Sequence, residues 1–203
     1  MITLAFVSQK GGAGKSTIAA NIAAYAASNG IKTVIIDLDQ QASISAWHAS
    51  REDDSIHIIP SHPPLLHKHV AQCDQQGYQL CVIDTPPHNS TAAANAIGVA
   101  DLTVIPVRPS AFDLVAAQAT FDLLAQNGGK GGAVINAVPS GTKVLDDATA
   151  FVKEAGIKVI GRTGQRIAYQ HATMKGQGVT EYEPSGRASA EIKELWTTIE
   201  GMI

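Results

Sequence analysis

A run of glycines followed by a lysine and a serine lies near the start of the sequence and has the residue types that bind phosphate. Glycines let backbone N–H groups turn toward phosphate oxygens, the lysine neutralises β and γ charges, and the serine hydroxyl binds Mg²⁺. The usual pattern has glycine at position 9, where this chain has Gln9, so the match is to a variant form. We predict a nucleoside triphosphate and Mg²⁺ site built from Gly11, Gly12, Ala13, Gly14, Lys15, Ser16 and Thr17.

Acidic residues at the ends of two strand-like runs would complete such a site. The run VIID ends at Asp37, with Asp39 just after it, and the run CVID ends at Asp84. Because ligands of an open parallel sheet bind beyond the carboxyl ends of its strands, all three acids should lie beside the phosphate loop. One acid would hold a Mg²⁺-bound water, and another would orient the water that attacks the γ-phosphate. The alternative for Asp37 or Asp39 is a helix N-cap, a position that aspartate also favours.

The elements that position these residues alternate along the chain. Short β-branched runs are separated by Ala-rich or amphipathic segments of helix length, which is typical of parallel strands covered on both faces. We predict strands at 2–7, 32–37, 56–60, 80–84, 102–107, 133–138 and 158–161, and helices at 17–29, 42–50, 64–75, 91–100, 112–126, 143–155 and 188–200. The expected fold class is α/β, a P-loop NTPase fold with a largely parallel central sheet and helices on both faces, in a single domain over 1–203.

The composition indicates a globular protein of the cytoplasm. The 203 residues are 45% hydrophobic and 16% charged, which is enough apolar surface for a substantial core. No apolar run approaches the roughly 18 residues that span a bilayer, and no basic leader precedes the first strand-like run. Cys73 and Cys81 form neither a CxxC pair nor a disulfide framework, so we expect two buried or half-buried thiols.

Four segments, KGGAGKST, DLDQQ, VIDTPP and VIPVRPS, together resemble the ParA/MinD group of P-loop ATPases with a deviant Walker A motif, and within it the short ParA type. The resemblance covers nearly the whole chain and implies an ATPase that uses ATP and Mg²⁺ and forms a homodimer with ATP. Lys10 matches the signature lysine that reaches the phosphates of the partner subunit, Asp39 the acid that positions the hydrolytic water, and Asp84 the Walker B acid. The implied catalytic residues are Lys10, Lys15 and Asp39, and the metal ligands are Ser16, Asp37 and Asp84.

The same resemblance implies contacts to the base. Asn136 falls where many relatives carry an adenine-reading asparagine, and Pro109 lies in the proline-containing segment near the base and the dimer interface. Gln40 stands where the family usually has proline, which affects the stiffness of that loop more than its chemistry. Because the phosphate-loop strand starts at residue 2, we expect no N-terminal helix-turn-helix domain and no site-specific operator binding.

Basic residues are concentrated in the C-terminal third, although the formal net charge is −3. We predict that they contact the phosphates of non-specific DNA, and that two subunits side by side make this binding ATP-dependent and salt-sensitive. The alternative for any one of them is a solvated helix face or an ion pair. Arg162 and Arg166 are the foremost candidates because GRTGQR is typical of an exposed turn entering a helix. The full set is Lys153, Lys158, Arg162, Arg166 and Lys175.

The last predicted helix argues against a membrane anchor. Over 191–200 acidic residues outnumber lysine, and anionic lipid would repel such a helix. Its apolar residues Ile192, Leu195, Trp196 and Ile199 follow helical spacing and are predicted to face the core. We therefore expect no membrane partner.

Together these observations predict a cytoplasmic, nucleoid-associated ATPase that segregates plasmid or chromosomal DNA, with hydrolysis stimulated by a centromere-binding or cargo adaptor protein of the ParB or ParG type. The resemblance leaves open a protein cargo, such as a chemoreceptor cluster or carboxysomes, and a MinD-like membrane-cycling regulator. An iron-protein reductase would need cluster cysteines, and Cys73 and Cys81 are poorly placed to provide them. An amidating synthetase would need substrate motifs that we do not find in the sequence.

Overall fold

The computed structural model describes residues 1–141 and 143–203, and within them seven parallel strands form one sheet. Their order across the sheet is β3-β2-β4-β1-β5-β6-β7, and every neighbouring pair is parallel. The predicted α/β class with a parallel sheet is thereby confirmed. The strands are β1 (Ile2–Phe6), β2 (Thr33–Asp37), β3 (Ile56–Pro60), β4 (Leu80–Asp84), β5 (Leu102–Val107), β6 (Gly131–Val138) and β7 (Lys158–Gly164).

Helices connect the strands and cover the sheet. Each predicted helix has a counterpart whose ends differ by about two residues or fewer, the usual uncertainty of helix boundaries. A 3₁₀ turn at Pro63–Leu65 leads into the third helix. The helices are α1 (Lys15–Ser28), α2 (Ser43–Ala49), α3 (Leu66–Gln75), α4 (Ser90–Val99), α5 (Ala111–Gln126), α6 (Val144–Glu154), α7 (Ile167–Met174), α8 (Val179–Tyr182) and α9 (Arg187–Glu200).

The core has two layers, one on each face of the sheet. In β1, Leu4 and Phe6 pack with α1, α2 and α7 to α9, whereas Ala5, between them in the chain, packs with α3 to α6. All three side chains are completely buried. A strand covered on both faces needs apolar residues at successive positions, which explains why continuous apolar runs predicted these strands correctly.

The strand order brings the ends of β1, β2 and β4 together at one edge of the sheet. In the ladder Asp84 lies opposite Phe6 of β1 and opposite Asp37 of β2. The Thr85 hydroxyl donates a hydrogen bond to the Phe6 carbonyl over 2.8 Å, which fixes the ends of β1 and β4 to each other. The glycine-rich segment after β1 therefore leaves the sheet beside the acids that end β2 and β4.

The prediction of an exposed turn at GRTGQR is wrong for residues 162–164, which instead extend the predicted strand 158–161 to Gly164. The hydroxyl of Thr163 donates to the Asn136 side chain over 2.5 Å, and the N–H of Gly164 donates to Glu191 over 3.1 Å. These partners lie on β6 and α9, so tertiary hydrogen bonds override the local turn preference of the glycines. The helix expected after this segment is α7.

The remaining predictions about the core are confirmed. In α9, Ile192, Leu195 and Ile199 are completely buried and Trp196 is 5% exposed. Cys73 and Cys81 are buried free thiols, and desolvation raises the pKa of both. Among the residues described, no helix combines the length and apolar character needed to cross a bilayer.

Candidate nucleotide-binding site

The segment between β1 and α1 forms a loop whose backbone conformation depends on glycine. Gly12 and Gly14 have φ angles of 75° and 103°, which glycine adopts without steric cost. α1 begins directly afterwards at Lys15, and no side chain in the described part of the chain caps its start. Because the first N–H groups of a helix lack intrahelical partners, this end of α1 attracts anions.

A cleft of about 680 Å³ opens in front of the loop. Its volume lies within the usual range of small-molecule sites. Of the residues predicted for the nucleotide site, those that line it are Asp39, Asn136 and the loop 11–17 other than Ala13, which is buried. The cleft therefore joins the loop to one of the acids and to the end of β6.

Lys15 is 6% exposed although it carries an ammonium group. Desolvation lowers its pKa, and the negative charges of Asp84 and Asp39 oppose that shift. A buried lysine that faces a cleft beside a free helix start presents its charge in a medium of low dielectric constant, where it attracts phosphate strongly.

Ser16 and Asp84 form the contact that fits a metal ion. The Ser16 hydroxyl donates to Oδ2 of Asp84 over 2.5 Å, and Asp84 is completely buried. Burial raises the pKa of Asp84 to about 7, while the Ser16 hydrogen bond and the charge of Lys15 lower it. Within the described residues Oδ1 of Asp84 has no hydrogen-bond partner. An unpaired buried carboxylate oxygen beside a hydroxyl is the hard oxygen donor set that Mg²⁺ prefers.

Asp37 and Asp39 differ in the hydrogen bonds that their carboxylates accept and in their position relative to the cleft. Asp37 accepts hydrogen bonds from the Asp39 N–H and from the Ser45 hydroxyl, each over 3.0 Å, and desolvation raises its pKa. Asp39 accepts one from the Gln41 N–H over 2.9 Å and lines the cleft. Asp37 thus shapes the loop that presents Asp39 to the cleft, and its role as a metal ligand stays a prediction.

Asn136 lies against the phosphate loop. Its Nδ2 donates to the Ala13 carbonyl over 2.6 Å, and its Oδ1 accepts from the Thr163 hydroxyl over 2.5 Å. A Cβ atom at Gly14 would lie only 2.0 Å from the same Nδ2. Asn136 therefore packs directly on the loop and ties it to β6 and β7, while its predicted contact with adenine stays a prediction.

Lys10 is half-buried and is not among the residues that line the cleft. In the described residues its ammonium group makes no hydrogen bond or ion pair, and its role toward a partner subunit stays a prediction. Pro109 is also half-buried and outside the cleft lining.

The predicted DNA contacts do not form one cluster. Lys158 and Arg162 are exposed on the edge strand β7, and Lys153 is exposed at the end of α6, on the sheet face opposite α7. Lys175 follows α7, and its ammonium lies 5.1 Å from the ring centroid of Tyr182. Arg166 lines the nucleotide cleft and pairs with Glu191 over 2.5 Å.

Several residues of the cleft were not predicted from the sequence. Arg108 follows the carboxyl end of β5, so the rule that identified the acids would also have identified this residue. Trp47 of α2 and Tyr169 of α7 carry no local signal, because each reaches the cleft only through tertiary packing.

Comparisons with known proteins agree with this geometry. Residues 4–180 match the model of the CobQ/CobB/MinD/ParA nucleotide binding domain. The chromosome-partitioning ATPase Soj of Thermus thermophilus is 29% identical over 140 residues, which cover 55% of this chain and 56% of that protein. The maintenance of carboxysome distribution protein A of Halothiobacillus neapolitanus is 27% identical over 201 residues, which cover 93% of this chain and 91% of that protein.

A solved structure supports the fold in particular. The septum site-determining protein MinD of Pyrococcus horikoshii, complexed with Mg-ADP, superposes with a TM-score of 0.82 at 17% identity. The superposition covers 98% of this chain and 96% of that one.

Proposed function

The chain belongs to the CobQ/CobB/MinD/ParA nucleotide-binding family, and from that premise we propose that it is a Mg²⁺-dependent ATPase of ParA type that segregates plasmid or chromosomal DNA. The observation that carries the proposal is the Ser16–Asp84 contact beside the buried Lys15 at the start of α1. Those groups are a cation, a hydroxyl and a carboxylate, and a phosphate with its metal ion requires all three.

Each residue of the site has a role in the proposed hydrolysis. The loop N–H groups and Lys15 bind the β and γ phosphates, and Ser16 and Asp84 would hold Mg²⁺. When bound, Mg²⁺ neutralises charge on the phosphate oxygens. Asp39 orients the attacking water, and Asp37 supports it through the hydrogen bond from the Asp39 N–H. Hydrolysis is slow in the isolated chain, because it needs a second cation at the γ-phosphate beside Lys15.

Lys10 supplies that second cation to a neighbouring subunit. Because its ammonium is unpaired in the described residues and does not line its own cleft, it is available to the γ-phosphate of a facing copy. A cation delivered in this way acts as an arginine finger does, and it couples dimerisation to the presence of ATP. The homodimer is therefore the form of the protein that ATP favours.

Non-specific DNA is the surface on which the dimer acts. Lys158 and Arg162 are both exposed on the edge strand β7, so two subunits would present four such charges, although a bulge between the two residues turns their side chains to different faces of the sheet. Lys153 and Lys175 add further charge from other parts of the surface. The name of the Thermus relative, a chromosome-partitioning ATPase, supports DNA as cargo. The protein would thus be cytoplasmic and associated with the nucleoid, and an adaptor protein of the ParB or ParG type would stimulate its hydrolysis.

A second candidate is the positioning of a protein cargo. The carboxysome-distribution relative supports it, because that match covers 93% of this chain whereas the Soj match covers 55%. Both candidates share the ATP cycle and differ only in the adaptor. A pull-down with ATP that identifies the adaptor distinguishes them.

Retention on DNA and on lipid tests the proposed function. We expect the wild-type chain with a non-hydrolysable ATP analogue to be retained on DNA beads and not on anionic vesicles, and to be released when ADP replaces the analogue. Arg162→Glu should reduce retention, whereas Lys68→Glu, an equal charge change at an exposed position of α3, should not. Retention that is independent of nucleotide, or that occurs on vesicles instead of DNA, would contradict the proposal.

A further inference from the structure

The two ends of the cleft lie on opposite sides of β1. The acids that serve phosphate and metal end β2 and β4, which lie on one side of β1 in the sheet. On the other side of β1 the cleft continues past β5 to the ends of β6 and β7. A nucleotide whose phosphates occupy the loop can therefore place its ribose and base toward β6, β7 and α7.

Arg166 lies between β7 and α7 and lines this end of the cleft with a cationic side chain. Its Nε and Nη2 both donate to Oε1 of Glu191, over 2.9 and 2.5 Å. Its guanidinium carbon lies only 2.9 Å from where a Cβ at Gly164 would stand, so the plane of the guanidinium rests against the bare backbone of that glycine. Arg166 is consequently held along one edge and supported on one face.

Both carboxylate oxygens of Glu191 accept hydrogen bonds that hold Arg166 and its surroundings in place. Its Oε2 accepts hydrogen bonds from the Gly164 N–H over 3.1 Å and from the Tyr169 hydroxyl over 3.2 Å, while Oε1 accepts the arginine. Tyr169 is buried and lines the same cleft. Since α9 is anchored in the core, Glu191 gives Arg166 a rigid support.

One side of Arg166 remains available for a ligand. Its side chain is 31% exposed, and in the described residues Nη1 donates no hydrogen bond. The amide of Asn136, another polar group at this end, is already bonded to Ala13 and Thr163. A fixed planar cation stacks on aromatic rings and donates to ring nitrogens and ribose oxygens.

We propose that Arg166 contacts the base and ribose of the bound nucleotide, and that Glu191 is the positioning residue that holds it there. The assignment rests on the proposed function, because it assumes that the phosphates occupy the loop. It moves Arg166 from the predicted DNA contacts to the nucleotide site. Arg162 lies on β7 outside the cleft and remains a predicted DNA contact.

The test compares two ligands that share phosphates and differ in the base and ribose. Binding of adenylyl-imidodiphosphate and of inorganic tripolyphosphate is measured by calorimetry for Arg166→Ala, Arg166→Lys and Glu191→Gln. The first two variants should bind the nucleotide about 3- to 30-fold more weakly, which is the range of one cation–π contact. Their affinity for tripolyphosphate should equal that of the wild type. Arg166→Lys keeps the positive charge beside Glu191 and removes only the planar guanidinium group. It therefore measures the contribution of that group even if Arg166→Ala folds poorly. Glu191→Gln should show a smaller loss, again for the nucleotide alone.

Arg162→Ala is the matched control and should leave both affinities unchanged while it weakens retention on DNA. Retention of the Arg166 variants at saturating nucleotide should equal that of wild type. The inference is overturned if these variants bind the nucleotide normally, if they lose both ligands equally, or if they lose DNA at saturating nucleotide. A wild-type chain that binds neither ligand would instead overturn the proposed function together with this inference.

Discussion

The Ser16 hydroxyl lies 2.5 Å from Oδ2 of Asp84, and 68 residues of chain separate the two. The first belongs to the opening turn of α1 and the second ends β4, which the sheet places next to β1. The contact therefore follows from the strand order of the sheet. It leaves the other oxygen of Asp84 buried and, among the described residues, without a partner.

Asp84→Asn should abolish the dependence of hydrolysis on Mg²⁺. The amide cannot supply the negative charge that the metal ion requires, so we expect hydrolysis to fall by at least about 100-fold. Nucleotide binding in the presence of a chelator should be largely retained, since the loop and Lys15 are unchanged. The measurement is phosphate release across a titration of Mg²⁺.

Asp101→Asn is the control for this substitution. Asp101 is exposed, outside the cleft, and accepts a hydrogen bond from the Thr3 N–H over 2.7 Å. Its change should cost about 1 kcal/mol of the free energy of unfolding and leave the Mg²⁺ dependence intact. Equal effects of the two substitutions on hydrolysis would argue against a metal site at Asp84.

Lys15→Met should remove nucleotide binding without unfolding the protein. In the described part of the chain the Lys15 ammonium makes no hydrogen bond or ion pair, and methionine keeps most of its buried stem. Nucleotide at about 100 times its dissociation constant should stabilise wild type by about 2.7 kcal/mol, which is a rise of roughly 5–10 °C in melting temperature. The variant should melt near the temperature of the free wild-type chain and show no rise. A full nucleotide-induced rise in the variant would contradict the role of Lys15.

Gly14→Ala should be more damaging than Gly12→Ala. Both glycines have positive φ, which costs another residue about 1–2 kcal/mol. At Gly14 the new Cβ would also meet Nδ2 of Asn136 at 2.0 Å, whereas nothing lies within 4 Å at Gly12. Urea denaturation of both variants, and of Gly14→Ala combined with Asn136→Ala, measures the steric part as a coupling energy. Equal losses for the two single variants would show that Asn136 does not hold the loop.

The sheet and most of its helices could be predicted from the sequence because their signals are local. Short β-branched apolar runs such as 80–84 are typical of strands buried on both faces, and acids that end such strands lie at the ligand edge. The glycines of the phosphate loop stand between a strand and a helix, so the position of Lys15 at the start of α1 followed directly. Asp39 likewise reached the cleft through its place after β2.

The rest of the site depends on contacts between distant residues. Arg166 was assigned to an exposed turn because its partner, Glu191, lies on another helix and carries no pairing signal in the sequence. Gly164 continues β7 because it pairs with Val138 of β6 and because its N–H donates a hydrogen bond to Glu191. Trp47 reaches the cleft through the packing of α2 on the core, which no local pattern encodes.

We propose that ATP joins two copies of this chain through Lys10. Sedimentation velocity of the wild type and of Lys10→Ala, each with saturating adenylyl-imidodiphosphate and Mg²⁺, measures this association. We predict that the mass of the wild type doubles with the nucleotide and that the variant binds the nucleotide equally well but remains a monomer. A variant that dimerises as the wild type does, or a wild type that stays monomeric with nucleotide bound, would contradict the account.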